Sequence, residues 1–128
     1  MSDYPEDLKY SPEHEWVLSG NGSTVRVGIT EYAAEQLGDI VFAALPTVGD
    51  TVAAGDACGE LESTKSVSDL FSPVPGVITG VNATLEGSPE TINADPYGDG
   101  WLFEVDLDAD TDVEDLMDAD AYAEQAAG

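Results

Sequence analysis

The chain is poor in the residues on which most self-sufficient enzyme chemistry depends. Its 128 residues include one histidine, His14, and one cysteine, Cys58. A lone cysteine excludes an internal disulfide, and no Cys/His spacing suits zinc. A Ser/His/Asp set is missing because His14 is the only imidazole, and glycine-rich phosphate loops of Walker or dinucleotide type are absent. His14 sits between Glu13 and Glu15, where a metal would find no second imidazole, so no metal is expected. No apolar run approaches transmembrane length. The first residues, Met1-Ser2-Asp3-Tyr4-Pro5-Glu6-Asp7, have neither a basic region nor an apolar stretch of the signal type. These gaps predict a soluble, cytoplasmic protein that is not an enzyme.

Positive charge is scarcer still. Three basic residues, Lys9, Arg26 and Lys65, stand against 27 acids, for a net charge of -24. A field of that sign repels nucleic acid and anionic membrane, so neither is expected as a partner. Self-repulsion of this size is relieved by salt, which predicts a halophilic source with a salt-rich cytoplasm; the plainer alternative is an acidic mesophilic protein. A hydrophobic content of 42% separates the chain from disordered sequences and suits a single domain over residues 1–128.

Residues 1–12 are polar, with Pro5 and Pro12, and read as an irregular lead-in. Glu13 to Leu18 reads as a strand, ended by a turn at Asn21-Gly22. Thr24 to Ile29 alternates, with Val25, Val27 and Ile29 on one face. Thr30 as N-cap and Gly38 as C-terminal stop predict a short helix near 30–38, with Tyr32, Ala33 and Leu37 packed on a sheet. Asp39 to Leu45 follows as an apolar strand, closed by Pro46. Turn signals then come every five residues or so, at Gly49-Asp50, Gly55-Asp56, Ser72-Pro73 and Pro75-Gly76, which indicates short strands in an all-β barrel or sandwich. Val77 to Asn82 is one more strand, and 83–100 reads as a long ordered loop. Trp101 to Asp108 alternates, with Trp101, Phe103, Val105 and Leu107 facing inward. Thr111-Asp112-Val113-Glu114 matches a capping box, so C-terminal helices are expected near 112–126, the first burying Val113, Leu116 and Met117.

One corner is left for chemistry. Cys58 to Ser63 and Val67 to Phe71 read as paired strands around Thr64-Lys65-Ser66, which lifts a primary amine onto a tight turn. Taken alone, Lys65 is either a solvated turn residue or a point for attaching an acyl group. Around it the sequence is roughly two-fold, Val48 to Asp56 leading in and Ser72 to Ile78 leading away.

This arrangement resembles the biotinyl and lipoyl carrier family, and within it the glycine cleavage H proteins. The likeness rests on Lys9 to Val17, Val27 to Thr30, Gln36 to Phe42, Leu61 to Asp69, Ser72 to Gly76, Asp95 to Gly98 and Gly100 to Leu102. It implies a flattened barrel-sandwich hybrid with lipoate attached covalently to Lys65. Biotin carriers usually place methionines where Thr64 and Ser66 stand. The resemblance further implies a carrier that takes the aminomethyl group of glycine from glycine decarboxylase to an aminomethyltransferase, with reoxidation by dihydrolipoamide dehydrogenase. It implies Glu15 and Asp69, and less strongly Gln36, as residues that shelter the loaded arm. Glu62, Ser63, Ser66 and Asp69 would be read by the lipoyl-attaching enzyme. The competing expectation is an unmodified or lipoate-storing β-barrel interaction protein on the same scaffold. Thr64 stands where the family more often has valine, and acids replace many surface lysines.

Overall fold

The computed structural model describes residues 8–11, 14–19, 23–108 and 116–127. The strands are β1 (Lys9–Tyr10), β2 (Glu15–Ser19), β3 (Thr24–Ile29), β4 (Ile40–Ala44), β5 (Thr51–Val52), β6 (Ala57–Ser63), β7 (Val67–Phe71), β8 (Gly76–Val81) and β9 (Phe103–Leu107). They form a six-stranded sheet in the order β1-β2-β3-β9-β8-β5 and a three-stranded sheet in the order β4-β6-β7. Every pairing among them is antiparallel. The fold is thus mostly β, an open barrel-sandwich, as the turn spacing predicts. Among the described residues no helix is long and apolar enough to cross a membrane.

Alternation explains which face each strand turns inward. On β3 the side chains of Val25, Val27 and Ile29 are buried, and they pack with Leu61 and Leu70 from the smaller sheet and with Phe103 and Val105 of β9. Arg26, on the opposite face, pairs with Glu104 at 3.2 Å and lies 4.4 Å from the ring centre of Trp101. Trp101 therefore belongs to the outer layer and only half buries. Leu102, which strict alternation would turn outward, is fully buried, because the strand begins at Phe103 and the residues before it do not follow its period.

A second cluster lies outside the sandwich. Leu8, Tyr10 and Trp16 pack with Ala119 and Tyr122 of the C-terminal helix α4 (Ala119–Ala127; the intervening helices α1 to α3 are given below). The rings of Tyr10 and Tyr122 stack at 4.8 Å. Here the structure corrects two expectations. Residues 9–10 are a strand paired to β2 and so are not irregular lead-in. Met117 bridges to Tyr10 as extended chain, with backbone bonds of 2.8 and 2.9 Å, where a helix was expected. Both backbone groups of Tyr10 are thereby satisfied by Met117, which local helical periodicity could not anticipate. The capping box at 111–114, Val113, the Asn21-Gly22 turn and residues 1–7 lie outside the described residues.

The supposed loop 83–100 is also corrected. It contains two helical turns, α2 (Thr84–Gly87) and α3 (Thr91–Ala94), which bury Leu85 and Ile92. Asn93 of α3 uses both ends of its amide. Its Oδ1 accepts from the Ile40 backbone at 2.8 Å, and its Nδ2 donates to the Gly38 carbonyl at 2.9 Å. That clamp sits at the end of α1 (Glu31–Leu37), whose cap is as expected: Thr30 Oγ1 accepts from the Ala33 amide, and Gly38 closes the helix at φ +86°. Of the helix residues only Ala34 is fully buried, whereas Tyr32, Ala33 and Leu37 are half-buried.

Two predictions follow from this packing. Any Cβ on Gly28 would overlap the indole of Trp16, whose Nε1 is held at 2.8 Å by the Pro96 carbonyl. Gly28→Ala should therefore cost about 1–3 kcal/mol, read as a lower midpoint in denaturant with unchanged slope. Cys58 is half-buried on β6, and its thiol is pushed up from 9.0 to about 12, first by burial, then by the negative charge of Glu15 and, more weakly, Asp56. Between those two values the unfolded chain has lost the proton and the folded one keeps it, so unfolding is favoured as pH rises. Stability should fall from pH 9 towards 12, with a shallower fall in Cys58→Ala, measured by denaturation at each pH.

Candidate functional site

The hairpin of β6 and β7 closes without the usual turn residues. Two-residue hairpin turns of the primed types need positive φ and so favour Asn or Gly. Among the described non-glycine residues only His14 has positive φ, so Thr64 and Lys65 are on the ordinary side of the map. The Ser63 hydroxyl makes up the difference. Its oxygen accepts from the amides of Lys65 at 3.1 Å and Ser66 at 3.0 Å, and donates to the Ser66 carbonyl at 3.1 Å. Ser63 and Ser66 also bond through their backbones at 2.8 Å, and the Thr64 amide donates to the Asp39 carbonyl at 3.1 Å. The tip is pinned on two sides while the side chains of Thr64, Lys65 and Ser66 stand exposed. Ser63 itself is only 7% exposed, its hydroxyl engaged within the turn.

The lysine stem runs towards α1. A Cβ built on Gly38 would meet Lys65 Cε at 3.0 Å and Cδ at 3.6 Å. Glycine at that position serves two needs, the positive φ of the helix stop and room for the stem.

Beside the hairpin lies a cavity of about 310 Å³, lined by residues from three parts of the fold. Tyr32, Ala33, Gln36 and Leu37 come from α1; Leu61, Ser68, Asp69 and Leu70 from the hairpin; His14, Glu15 and Ile29 from the ends of β2 and β3. Glu15, Asp69 and Gln36, which sequence likeness groups as one set, are thus brought to one wall system. They differ in setting. Glu15 is 2% exposed, with Oε1 accepting from the Ser11 hydroxyl at 2.8 Å and its amide donating to the same oxygen at 3.2 Å. Asp69 and Gln36 are exposed at the rim. Glu62 points away from the cavity on the outer face of the smaller sheet, opposite Phe42 and Val67. Ser66 is at the tip.

Several residues here escaped sequence reasoning. His14 holds φ at +71°, in the region that most side chains avoid, and its Nδ1 is 2.6 Å from the Tyr122 hydroxyl. That hydroxyl is also 2.8 Å from Thr30 Oγ1, so the C-terminal helix reaches the N-cap of α1. Tyr32 packs on the His14 ring at 4.9 Å. No local motif marks Tyr122, which lies 108 residues from His14 in the chain. Ser11 could have been found from its place four residues before Glu15, though nothing in the spacing says that the carboxylate is buried.

Removing the Ser63 hydroxyl should loosen the turn and little else. Ser63→Ala leaves two amides to water and should cost about 1 kcal/mol. Hydrogen exchange should accelerate at Lys65 and Ser66, with the amides of Leu61 and Leu70 unchanged.

The arrangement has kin among known proteins. The family model for the glycine cleavage H-protein matches residues 8–127. A glycine cleavage system H protein of Mycolicibacterium smegmatis is 57% identical over 125 residues, covering 95% of each chain. One from Beutenbergia cavernae is 56% identical over 124 residues, covering 97% of each. The crystal structure of such a protein from Mycobacterium marinum superposes with a TM-score of 0.87 at 47% identity, covering 98% of this chain and 100% of that one. These relatives give no support to the halophilic source expected from the charge. An acid excess shows how the chain behaves in salt, and it does not name a habitat. With matches along nearly its whole length, the chain belongs to the glycine cleavage H-protein family, a carrier component of the glycine cleavage system and not a catalyst by itself.

Proposed function

We propose that the chain acts as one carrier domain whose working group is a lipoyl moiety in amide linkage to Lys65. The observation that carries this is the turn: a primary amine held out from a tip whose backbone is pinned to Ser63 and Asp39. A rigid base with a mobile stem raises the effective concentration of whatever the stem carries once a partner docks. Bound there, the dithiolane would supply a disulfide able to take up the one-carbon aminomethyl unit derived from glycine.

The surrounding residues fit such a group. The cavity volume of about 310 Å³ is at the lower end of ordinary small-ligand sites. Its apolar lining from Ile29, Leu37, Leu61 and Leu70 suits a hydrocarbon arm, and the carboxylates of Glu15 and Asp69 suit a cationic end group. Ser11 orients Glu15 through two hydrogen bonds, so that carboxylate is set before any ligand arrives. Gln36 adds an amide on the α1 side. Sheltering from water at this wall would limit hydrolysis of a labile adduct.

Glycine decarboxylase, the tetrahydrofolate-dependent aminomethyltransferase, dihydrolipoamide dehydrogenase and a lipoyl-attaching enzyme are the partners this reading requires, acting in the cytoplasm. Glu62 and Ser66, exposed on either side of Lys65, are offered to the attaching enzyme directly. Ser63 contributes by shaping the turn. The alternative, an unmodified or lipoate-storing interaction protein, predicts no aminomethyl transfer by the loaded chain.

Glycine-dependent turnover by the loaded wild-type chain decides between them, and Lys65→Arg tests the site. The variant should melt within about 0.5 kcal/mol of wild type, show no lipoyl increment by intact mass, and support no glycine-dependent turnover in the reconstituted system. Turnover retained by the variant would overturn the assignment.

A further inference from the structure

Two aromatic side chains on the cavity wall have no part yet in the carrier account. Tyr32 of α1 and His14 are the only rings among the described residues that line the cavity, and their centres lie 4.9 Å apart at an angle of 43°. Tyr32 is half-buried on the first turn of a seven-residue helix, where a tyrosine with nothing behind it would turn towards water. His14 stands behind it, and holding His14 there strains the backbone. The positive φ of +71° is kept by a bond from the His14 amide to the Ser11 carbonyl at 3.1 Å and by one from the Thr30 amide to the His14 carbonyl at 3.0 Å. The imidazole is fixed by the buried Tyr122 hydroxyl, 2.6 Å from Nδ1 and itself 2.8 Å from Thr30 Oγ1. A strained residue locked from three sides, backing a ring that the core does not bury, marks a wall shaped for something in the cavity.

We propose that Tyr32 is a specificity residue of this cavity. Its ring, backed by His14 and with Tyr122 as the positioning residue behind both, holds a primary ammonium against Glu15 and Asp69, and so tells the charged end of a loaded arm from an uncharged one. This rests on the cavity being the shelter of the arm on Lys65. The composition of the wall selects the ligand. Carboxylates alone attract any cation, and in a chain of net charge -24 they discriminate little. Leu37, Leu61 and Leu70 suit any hydrocarbon, whatever its end group. An aromatic ring beside two carboxylates favours an organic cation, because the negative face of the ring adds attraction where water is excluded. The same contact protects the cargo. An aminomethyl thioether is lost when the nitrogen lone pair helps to expel the sulfur, and with one water the ammonium form ends as thiol, formaldehyde and ammonium ion. A nitrogen kept protonated has no lone pair to give, so each contact that favours the cation slows the loss.

The test uses the full chain with the arm in place on Lys65, in two forms. One carries an isotope-labelled aminomethyl group, formed by glycine decarboxylase from glycine labelled at its α-carbon. The other carries a neutral labelled methyl group from methyl iodide, in the Cys58→Ala background so that only the arm is alkylated. Seating is read as nuclear Overhauser contacts from the labelled group to the methyls of Leu61 and Leu70. Protection is read as the rate of formaldehyde release without partners, compared with the same chain unfolded in urea. Tyr32→Leu should release formaldehyde about fivefold faster and weaken the contacts of the aminomethyl arm, with those of the methyl arm unchanged. Tyr32→Phe, which keeps the ring, should match wild type. Tyr122→Phe keeps the ring stacked on Tyr10 and removes the hydroxyl. It should move in the direction of Tyr32→Leu by a smaller factor, again for the charged arm alone. Tyr32→Met replaces Tyr32→Leu if the latter fails to melt cooperatively. Equal protection in Tyr32→Leu and wild type overturns the proposal, and so does equal weakening of both arms, which makes Tyr32 a packing residue. If either result comes with faster loss in Glu15→Gln, the shelter stands without Tyr32. Wild type that releases formaldehyde as fast folded as unfolded removes the shelter and the proposal with it.

Discussion

The Ser63 hydroxyl is the contact on which the geometry of the site depends. A hairpin tip made of Thr64 and Lys65 cannot reach positive φ without strain, so the backbone alone does not close it in the usual way. One buried oxygen accepts from two tip amides instead, and the register of β6 against β7 follows. Register in turn decides faces, since a slip by one residue would exchange them. As built, Leu61 and Leu70 enter the core while Glu62 and Val67 face outward. The same closure lets the tip lean on Asp39 and so joins it to the junction between α1 and β4.

That junction is the second fixed point, and distant parts of the chain hold it. Asn93 clamps Gly38 and Ile40 from one side. Tyr122 reaches Thr30 and His14 from the other, through a helix whose apolar side is covered by Tyr10 and Trp16. Helix α1 has only seven residues and would not persist alone. Held at both ends, it can serve as one wall of the cavity and as a rest for the lysine stem. Two short segments that look expendable, 8–11 and 116–127, thus act on the site through packing.

The sequence was legible where physics is local. Alternation in Thr24–Ile29, the Thr30 cap, the Gly38 stop and the strands either side of Lys65 all depend on neighbours within a few residues. It was illegible where a distant partner overrides the local pattern. Met117 lies in a helix-like stretch but is drawn into a bridge with Tyr10. Leu102 breaks the alternation of Trp101 and Phe103 because it bonds to the Val27 carbonyl at 2.8 Å before β9 begins. Loop composition in 83–100 hid two single-turn helices that depend on burying Leu85 and Ile92. Glu15, Gln36 and Asp69 were grouped by resemblance alone; their meeting at one cavity requires the fold.

A carrier has to keep reactive groups of its own away from its cargo while holding an acceptor for it, and two residues in this chain show how one scaffold does both. Cys58 sits among core residues with Glu15 and Asp56 nearby, so its thiol stays protonated at neutral pH and is a poor nucleophile. Burial therefore silences the sulfur that could otherwise attack a disulfide. The negative charge of Glu15 contributes to that silencing, and the same carboxylate lines the cavity, oriented by Ser11. A neutral amide at residue 15 would lose both effects together, whereas Asp69, exposed at the rim, is not among the groups acting on the thiol. Of the two carboxylates at the cavity, the buried one thus ties the inertness of the core to the polarity of the wall.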